Sequence, residues 1–249
     1  MSFETAVSLA GAVGECFVIV LLFYRNVRRL LPIFTVFVAW TLVTDLSSSC
    51  ILSVHPTLYF RYYLYQVSID SLLIFAVLVE LAWSVLRPMR ASLPKATIYV
   101  IAGLVAIAAV IIWPLASHTV PSGFGPESTI LYHVQGTAAI LRVGCFLVMA
   151  SLSQLLSLGW KDRELQVATG FGVYSIVSLI VAVLHSHPST GEQYHWLDIA
   201  TSVSYLGTLS YWELSFSAKE QERKQFSPQM QELLLQIGGG GRNRRSGPQ

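Results

Sequence analysis

Residues 96–116, ATIYVIAGLVAIAAVIIWPLA, contain no charged side chain, and this stretch decides the class of fold. As an α-helix, its 21 residues would be about 30 Å long, which is the thickness of the hydrocarbon core of a bilayer. Tyr99 is its only ionisable group. The stretch therefore predicts a transmembrane helix that faces lipid.

Six other stretches of the chain share this length and apolar character. They lie at residues 5–24, 31–53, 62–86, 130–157, 165–186 and 197–217. Hydrophobic residues make up 53% of the sequence and charged residues 12%, whereas a soluble domain carries about 25% charged residues. We therefore expect an all-α polytopic membrane bundle of seven transmembrane helices over residues 1–217, followed by a tail at 218–249. The net charge of +2 is too small to predict binding to nucleic acid.

Lysine and arginine are distributed unevenly between the predicted loops. Of the 16 such residues, all except Arg61 and Arg142 lie in the first, third and fifth loops or in the tail. Because short basic loops stay in the cytoplasm, this asymmetry predicts an N-terminus outside the cell and a cytoplasmic C-terminus. The segment MSFET before the first span has an acid and no base, which is typical of an exported N-terminus rather than of a cleaved signal peptide.

The tail has a pattern of its own. Ser227 is the predicted cap of a short amphipathic helix at about 228–237, and the residues after this helix are glycine-rich and basic. Its apolar face carries Met230, Leu233, Leu234 and Ile237. We expect the end of the tail to be disordered, and either to touch anionic lipid headgroups or to dock to a cytoplasmic protein partner.

Four acids and one base lie deep inside the predicted spans: Glu15, Asp45, Asp70, Glu80 and Arg142. A charged side chain at the middle of a membrane costs at least about 2.5 kcal/mol, so it needs a partner or a path to water. We expect Arg142 to pair with Asp45 or Asp70, which lie at a similar depth. The remaining acids would be protonated, hold a cation or reach water. Alternatively, they only form hydrogen bonds between helices and stabilise the bundle.

Helical spacing places polar residues on one face of several spans. Thr41, Asp45 and Ser48 form such a stripe on the second span, and Asp70 lies one turn after Gln66 on the third. We therefore expect spans two, three, five and seven to line a polar interior. The candidates for a ligand-binding or ion-binding site in this interior are Glu15, Asp45, Asp70, Glu80, His133 and Arg142.

All six histidines lie outside the spans or in their outer parts, at His55, His118, His133, His185, His187 and His195. Imidazole binds zinc, copper and nickel, so His185, His187 and His195, which surround the last outer loop, form a candidate metal site. The alternative is that a loop poor in lysine and arginine takes its polarity from histidine. Cys16, Cys50 and Cys145 lie in or near apolar stretches and predict neither disulfides nor thiolate ligands.

Several motifs are missing from the sequence. No predicted span contains lysine, which excludes a retinal Schiff base, and the HExxH and GxSxG motifs of metalloproteases and esterases are absent. The segment GFG at 170–172 follows no predicted strand and is not a nucleotide-binding loop. Asp70 and His55 are similar in position to ligands of seven-helix zinc hydrolases of the ceramidase type, but the HxxxH motif of those enzymes is missing from the seventh span.

The segments LYFRYYLYQVSIDSLLIFAVLVELAW and LGWKDRELQVATGFGVYSIVSL resemble those of uncharacterised small bacterial seven-helix membrane proteins. The resemblance covers most of the chain, implies a multi-pass protein of the inner (cytoplasmic) membrane, and implies no activity. The sequence favours a receptor-like or sensor-like bundle that binds a ligand and acts through a partner protein. The alternatives are a proton- or cation-coupled transporter and a metal-dependent hydrolase that acts at the outer face.

Overall fold

The computed structural model describes residues 3–54, 56–85, 96–116, 126–151, 162–185 and 191–218. Within these ranges the chain is helical, and no strand is formed. The helices are α1 (Phe3–Tyr24), α2 (Val27–Leu30), α3 (Pro32–Val54), α4 (Pro56–Val85), α5 (Thr97–Ile112), α6 (Pro126–Ser151), α7 (Arg163–His185) and α8 (Gly191–Ser217). The tail helix predicted at 228–237 and the basic end after it lie outside the described residues.

Within the described residues, four helices are long and apolar enough to cross a membrane, as is typical of a helical membrane protein. These segments are Ala6–Tyr24, Arg61–Val85, Thr129–Ser151 and Arg163–Leu184. Shorter apolar segments occur at Pro32–Ser48 and Thr97–Ile112. Each of the seven long helices in the described residues occupies one of the seven predicted stretches, although α4 and α8 each begin six residues before the predicted start of their spans.

Proline marks the start of three helices. Pro32, Pro56 and Pro126 each occupy the first position of their helix, where the missing backbone N–H removes no helical hydrogen bond. Because α4 begins at Pro56, residues 56–61, which the sequence placed in the loop between the second and third spans, are helical. The chain reverses between α1 and α2 at Asn26, the only non-glycine residue with a positive φ (55°) in the described part of the chain.

Six of the long helices form a closed ring. Around it, α1 contacts α3, α3 contacts α4, α4 contacts α6, α6 contacts α7, α7 contacts α8, and α8 returns to α1. Helix α5 lies outside the ring against α4 and α6. Most of its large apolar side chains are exposed, including Leu104, Ile107 and Val110, as expected for the helix predicted to face lipid.

The buried core fills one half of this ring. An aromatic cluster of Phe34, Phe37, Phe171 and Trp212 lies at its centre, with ring centroids 5.1 to 5.9 Å apart in the edge-on contacts between them. Residues around this cluster come from the end of α1, the start of α3, the end of α4, the start of α7 and the end of α8. We call this half of the bundle the closed end.

The GFG segment explains part of the packing at the closed end. Phe171 belongs to the aromatic cluster, and the glycines on either side of it face neighbouring helices. A Cβ atom on Gly170 would overlap the indole ring of Trp212 in α8, and one on Gly172 would overlap the ring of Phe146 in α6. The two glycines therefore allow α7 to approach α8 and α6 closely.

Candidate functional site

The other half of the ring contains a polar cavity with two lobes. The larger lobe, about 750 Å³, lies between α4, α6, α7 and α8. The smaller lobe, about 580 Å³, lies between α1, α3, α4 and α8. Asp70, Arg142 and Tyr174 line both lobes, so the two spaces meet at these side chains. We call this half of the bundle the cavity end.

Asp70 projects into both lobes from the middle of α4. One of its carboxylate oxygens, Oδ1, accepts a hydrogen bond of 2.6 Å from the indole Nε1 of Trp40 in α3. Because Trp40 is held by its own helix, this bond fixes the carboxylate at the junction of the lobes. Trp40 was not among the residues that the sequence pointed to, although its place inside the second predicted span, away from both ends, distinguishes it from a tryptophan at the membrane interface.

Arg142 enters the cavity from α6, and only 9% of its surface is exposed. Its guanidinium lies over the ring of Tyr174 in α7, 5.5 Å from the ring centroid. Its Nε atom is buried and has no hydrogen-bond partner within the described residues. Asp70 acts electrostatically on this guanidinium, but the described residues show no ion pair at contact distance between these two groups. We predicted that Arg142 would pair with Asp45 or Asp70, and the pair with Asp70 is an electrostatic interaction without a direct contact in the described residues.

Further polar side chains complete the walls of the cavity. Asp45 lines the smaller lobe, and Asp198 lines both lobes. Gln135 of α6 donates a hydrogen bond of 3.4 Å to the hydroxyl of Tyr63 in α4. The other neutral polar residues around the larger lobe are Ser71, Tyr132, Ser178, Thr201 and Ser202. The helices that carry polar walls are α3, α4, α6 and α8, as the stripes on spans two, three, five and seven predicted, together with α7.

Glu15 lies beside the smaller lobe, fully buried between α1 and α8. Its Oε1 accepts a short hydrogen bond from the hydroxyl of Tyr205, a residue that lines this lobe. Its Oε2 is buried without a hydrogen-bond partner among the described residues. The structure therefore places Glu15 next to the cavity wall, where Tyr205 separates it from the open space.

Glu80 does not face the cavity, although we predicted that it would contribute to the interior site. Its two carboxylate oxygens accept hydrogen bonds from the backbone N–H groups of Ile33 and Phe34, at 2.7 Å and 2.8 Å. These N–H groups belong to the first turn of α3, where the helix provides no acceptor of its own. Glu80 thus caps α3 from α4, at the closed end, because a carboxylate is a strong acceptor for exposed amide groups.

The histidines are only partly placed by the structure. The ring of His133 stacks on Trp113 at the end of α5, 5.3 Å between centroids, and does not line either lobe of the cavity. Its Nδ1 is buried without a hydrogen-bond partner among the described residues. His195 is exposed at the edge of the smaller lobe. The side chain of His185 and all of His187 lie outside the described residues, and within those residues no three potential ligands form a metal site.

A second cluster of charges, at the closed end, was missed in the sequence. We predicted the segment GWKDRE as a cytoplasmic loop, but Asp162, Arg163 and Glu164 are all buried. Glu164 accepts a hydrogen bond of 2.7 Å from Ser84 of α4. The guanidinium of Arg163 donates to the carbonyl oxygens of Ser215 and Ala218, at 2.7 Å and 2.8 Å.

Arg163 therefore caps the last turn of α8, where carbonyl groups lack helical partners. It lies over the ring of Phe216, 5.6 Å from the centroid, and donates a third hydrogen bond to Gln166 within its own helix. The signal in the sequence was the position of three charges directly before an apolar helix. We interpreted these charges only as evidence of topology.

Comparisons with known proteins add no assignment for this site. The chain matches no model of a protein family, no curated protein and no solved structure. What the protein does must therefore be inferred from the chemistry of the cavity.

Proposed function

We propose that this chain is a receptor-like membrane protein that binds a small polar ligand in the two-lobed cavity and acts through a partner protein. Its seven long helices would all span the inner membrane, with the N-terminus outside and the C-terminal tail in the cytoplasm. The distribution of lysine and arginine supports this orientation. In this orientation the cavity end faces outward and the closed end faces the cytoplasm.

The observation that carries the proposal is Arg142, whose buried Nε has no hydrogen-bond partner among the described residues, in a cavity that also contains Asp70. Ligand sites in proteins are concave, have volumes of about 300 to 1,000 Å³, and combine apolar walls with a few polar groups. The larger lobe, at about 750 Å³, falls in this range. Intramembrane charges that remain without a protein partner mark functional sites more often than structural ones.

The closed end favours binding over the alternative of coupled transport. A transporter must open its site to both sides in turn. Here the aromatic cluster of Phe34, Phe37, Phe171 and Trp212 lies on the side of the cavity that would face the cytoplasm, and Phe37 lines the smaller lobe itself. The cluster would therefore block a path from the cavity to the cytoplasm. The helices around the cavity also run without a break in the described residues, whereas many transporters have interrupted helices at their binding sites.

Binding can be tested on the purified full-length protein in detergent. The melting midpoint would be measured with a panel of small amines, carboxylates, amino acids, sugars and divalent metal salts. Ser202 lines both lobes, so Ser202→Trp should fill the cavity, whereas Val203→Trp places the same side chain on the exposed face of α8. We expect at least one solute to raise the midpoint of the wild type and of Val203→Trp, but not that of Ser202→Trp.

The outward opening of the cavity needs a separate measurement. Cys16, Cys50 and Cys145 would be replaced by serine, and a single cysteine would then be introduced as Ser202→Cys. We expect a membrane-impermeant thiol reagent to label this residue in intact cells. Labelling only after the membrane is permeabilised would contradict the proposed orientation and the outward cavity.

A further inference from the structure

Opposite charges line the larger lobe without neutralising each other directly. Arg142 enters from α6 and Asp70 from α4, which are neighbouring helices in the ring. No ion pair at contact distance joins them among the described residues, and each is held by an aromatic side chain instead. Trp40 donates to Asp70, and the ring of Tyr174 lies beside the guanidinium of Arg142.

The buried Nε of this guanidinium has no hydrogen-bond acceptor among the described residues. Arginine carries five N–H donors and stays protonated in proteins. At 9% exposure it has little contact with water, and a face-on contact with a tyrosine ring satisfies none of these donors. A planar anion such as a carboxylate or a phosphate would accept two of them at once.

An anion alone would leave the carboxylate of Asp70 without a cation at contact distance among the described residues. Asp70 and Asp198 line the same lobe as Arg142, and Asp45 lines the adjoining one. A cation alone would approach these carboxylates, but it would be repelled by the guanidinium and would leave its donors unsatisfied. A ligand with both charges satisfies both sides, because its anionic group meets Arg142 while its ammonium group meets Asp70.

We propose that the ligand of this cavity is a zwitterion, with a carboxylate or phosphate that binds Arg142 and an ammonium group that binds Asp70. This inference rests on the proposed function, since it names the ligand class of the same site. A free amino acid and the headgroup of a zwitterionic lipid share this chemistry. The lipid is a possible source because Ser71, Ile74 and Ala138 separate the larger lobe from an apolar groove of about 510 Å³ between α4, α5 and α6.

The test measures the melting midpoint of the full-length protein with soluble zwitterions and with lipids. The soluble probes are the common α-amino acids and betaines, each compared with an amine and a carboxylic acid of the same carbon skeleton. The lipid probes are nanodiscs of phosphatidylethanolamine, compared with nanodiscs of phosphatidylglycerol. We expect one zwitterion to raise the midpoint by about 5 °C when it is present at about 100 times its Kd.

Variants of the two charged residues identify the groups that bind the ligand. Arg142→Gln and Asp70→Asn should each weaken binding of that zwitterion at least about 10-fold, because each removes a charged hydrogen-bond partner. Arg28→Gln is the matched control, since Arg28 is exposed in the short helix α2 and lies over the ring of Phe23. Arg142→Lys keeps the charge but not the planar fork, so it should bind with intermediate affinity even if the neutral variant folds poorly.

Two outcomes would overturn the zwitterion inference. In the first, an amine or a carboxylic acid alone stabilises the protein as well as the zwitterion does, or Arg142→Gln binds the zwitterion like the wild type. In the second, neither soluble nor lipid zwitterions stabilise the wild type. The proposed binding function would survive either outcome if another solute of the wider panel raises the midpoint and Ser202→Trp abolishes that effect.

Discussion

The two halves of the bundle each bury an arginine, but the two arginines differ in their hydrogen bonds to the rest of the chain. At the closed end, Arg163 is 2% exposed and donates hydrogen bonds to Gln166, Ser215 and Ala218. At the cavity end, Arg142 is 9% exposed and donates no hydrogen bond within the described residues. The Nε atoms of both arginines are buried without a hydrogen-bond partner among those residues, so the difference lies in the terminal nitrogens, which are bonded in Arg163 and not in Arg142. A buried charge whose donors are used by the chain stabilises the fold, and one whose donors are left over is available to a ligand.

The same contrast separates the glutamates. Glu80 uses both carboxylate oxygens to cap α3, whereas Glu15 uses one oxygen on Tyr205 and has the other buried without a partner in the described residues. At the closed end, charged side chains therefore cap the ends of helices and connect neighbouring helices. The cavity end keeps unused hydrogen-bonding capacity, which costs stability in the absence of a ligand.

The largest loss of stability is expected for Arg163→Met, which removes the cap of α8 at the closed end. Methionine fills a similar volume, but it leaves the carbonyl oxygens of Ser215 and Ala218 without these donors. Each buried group that loses its hydrogen-bond partner costs about 1–3 kcal/mol, so we expect a loss of about 3–5 kcal/mol in the free energy of unfolding. Chemical unfolding in mixed detergent micelles measures it, and Arg163→Lys should fall between the variant and the wild type. Unchanged stability would show that the closed end does not depend on this cap.

Glu80→Ala should have the next largest effect, because it exposes the first turn of α3. The backbone N–H groups of Ile33 and Phe34 would lose their acceptors inside the bundle. Each unsatisfied buried donor costs about 1–3 kcal/mol, so we expect a loss of about 2–4 kcal/mol. The control is Glu213→Ala on α8, a partly exposed position at which the same truncation should cost less than about 1 kcal/mol. Equal losses at the two positions would contradict the capping role.

Gly170→Ala tests the close approach of α7 to α8 at the closed end. The added methyl group would overlap the indole of Trp212 and force the aromatic cluster apart. We expect destabilisation of about 1–3 kcal/mol, which is typical of overpacking. Gly207→Ala on α8 is the matched control, since a Cβ atom there meets no other atom within 4 Å. That control should be neutral or should stabilise the helix by up to about 1 kcal/mol. Similar melting midpoints for the two variants would count against the packing role of GFG.

The sequence predicted the helical architecture because membrane spans depend on length and composition, which are local properties. The fully apolar stretch at 96–116 and the helix α5 coincide within a few residues. Asp45 on α3 and the pair Gln66 and Asp70 on α4 line the cavity. The sequence indicated these faces because helical periodicity determines which residues share a face.

The roles of individual charges could not be predicted in the same way. Whether Glu80 faces a cavity or a backbone depends on where α3 begins beside α4, which is a tertiary relation. The burial of Arg163 depends on the end of α8, more than fifty residues later in the chain. A direct contact between Arg142 and Asp70 is not formed, because a similar depth in the membrane does not determine which side chains face each other. His133 stacks on Trp113 and does not line the cavity, which its depth in the predicted span could not indicate either.

Arg142→Met is expected to give the smallest change in stability, and it is the most direct test of the difference between Arg142 and Arg163. The substitution removes a buried charge that, unlike Arg163, donates no hydrogen bond within the described residues, and it introduces an apolar side chain of similar length. Replacing buried ionic groups by apolar ones is often neutral or stabilising. In the absence of ligand we therefore expect a free energy of unfolding within about 1 kcal/mol of the wild type, or above it. The same chemical unfolding experiment that measures Arg163→Met measures this variant. A loss as large as that of Arg163→Met would mean that Arg142 holds the fold together through its own chain, and the cavity would then lose the group on which the binding proposal depends.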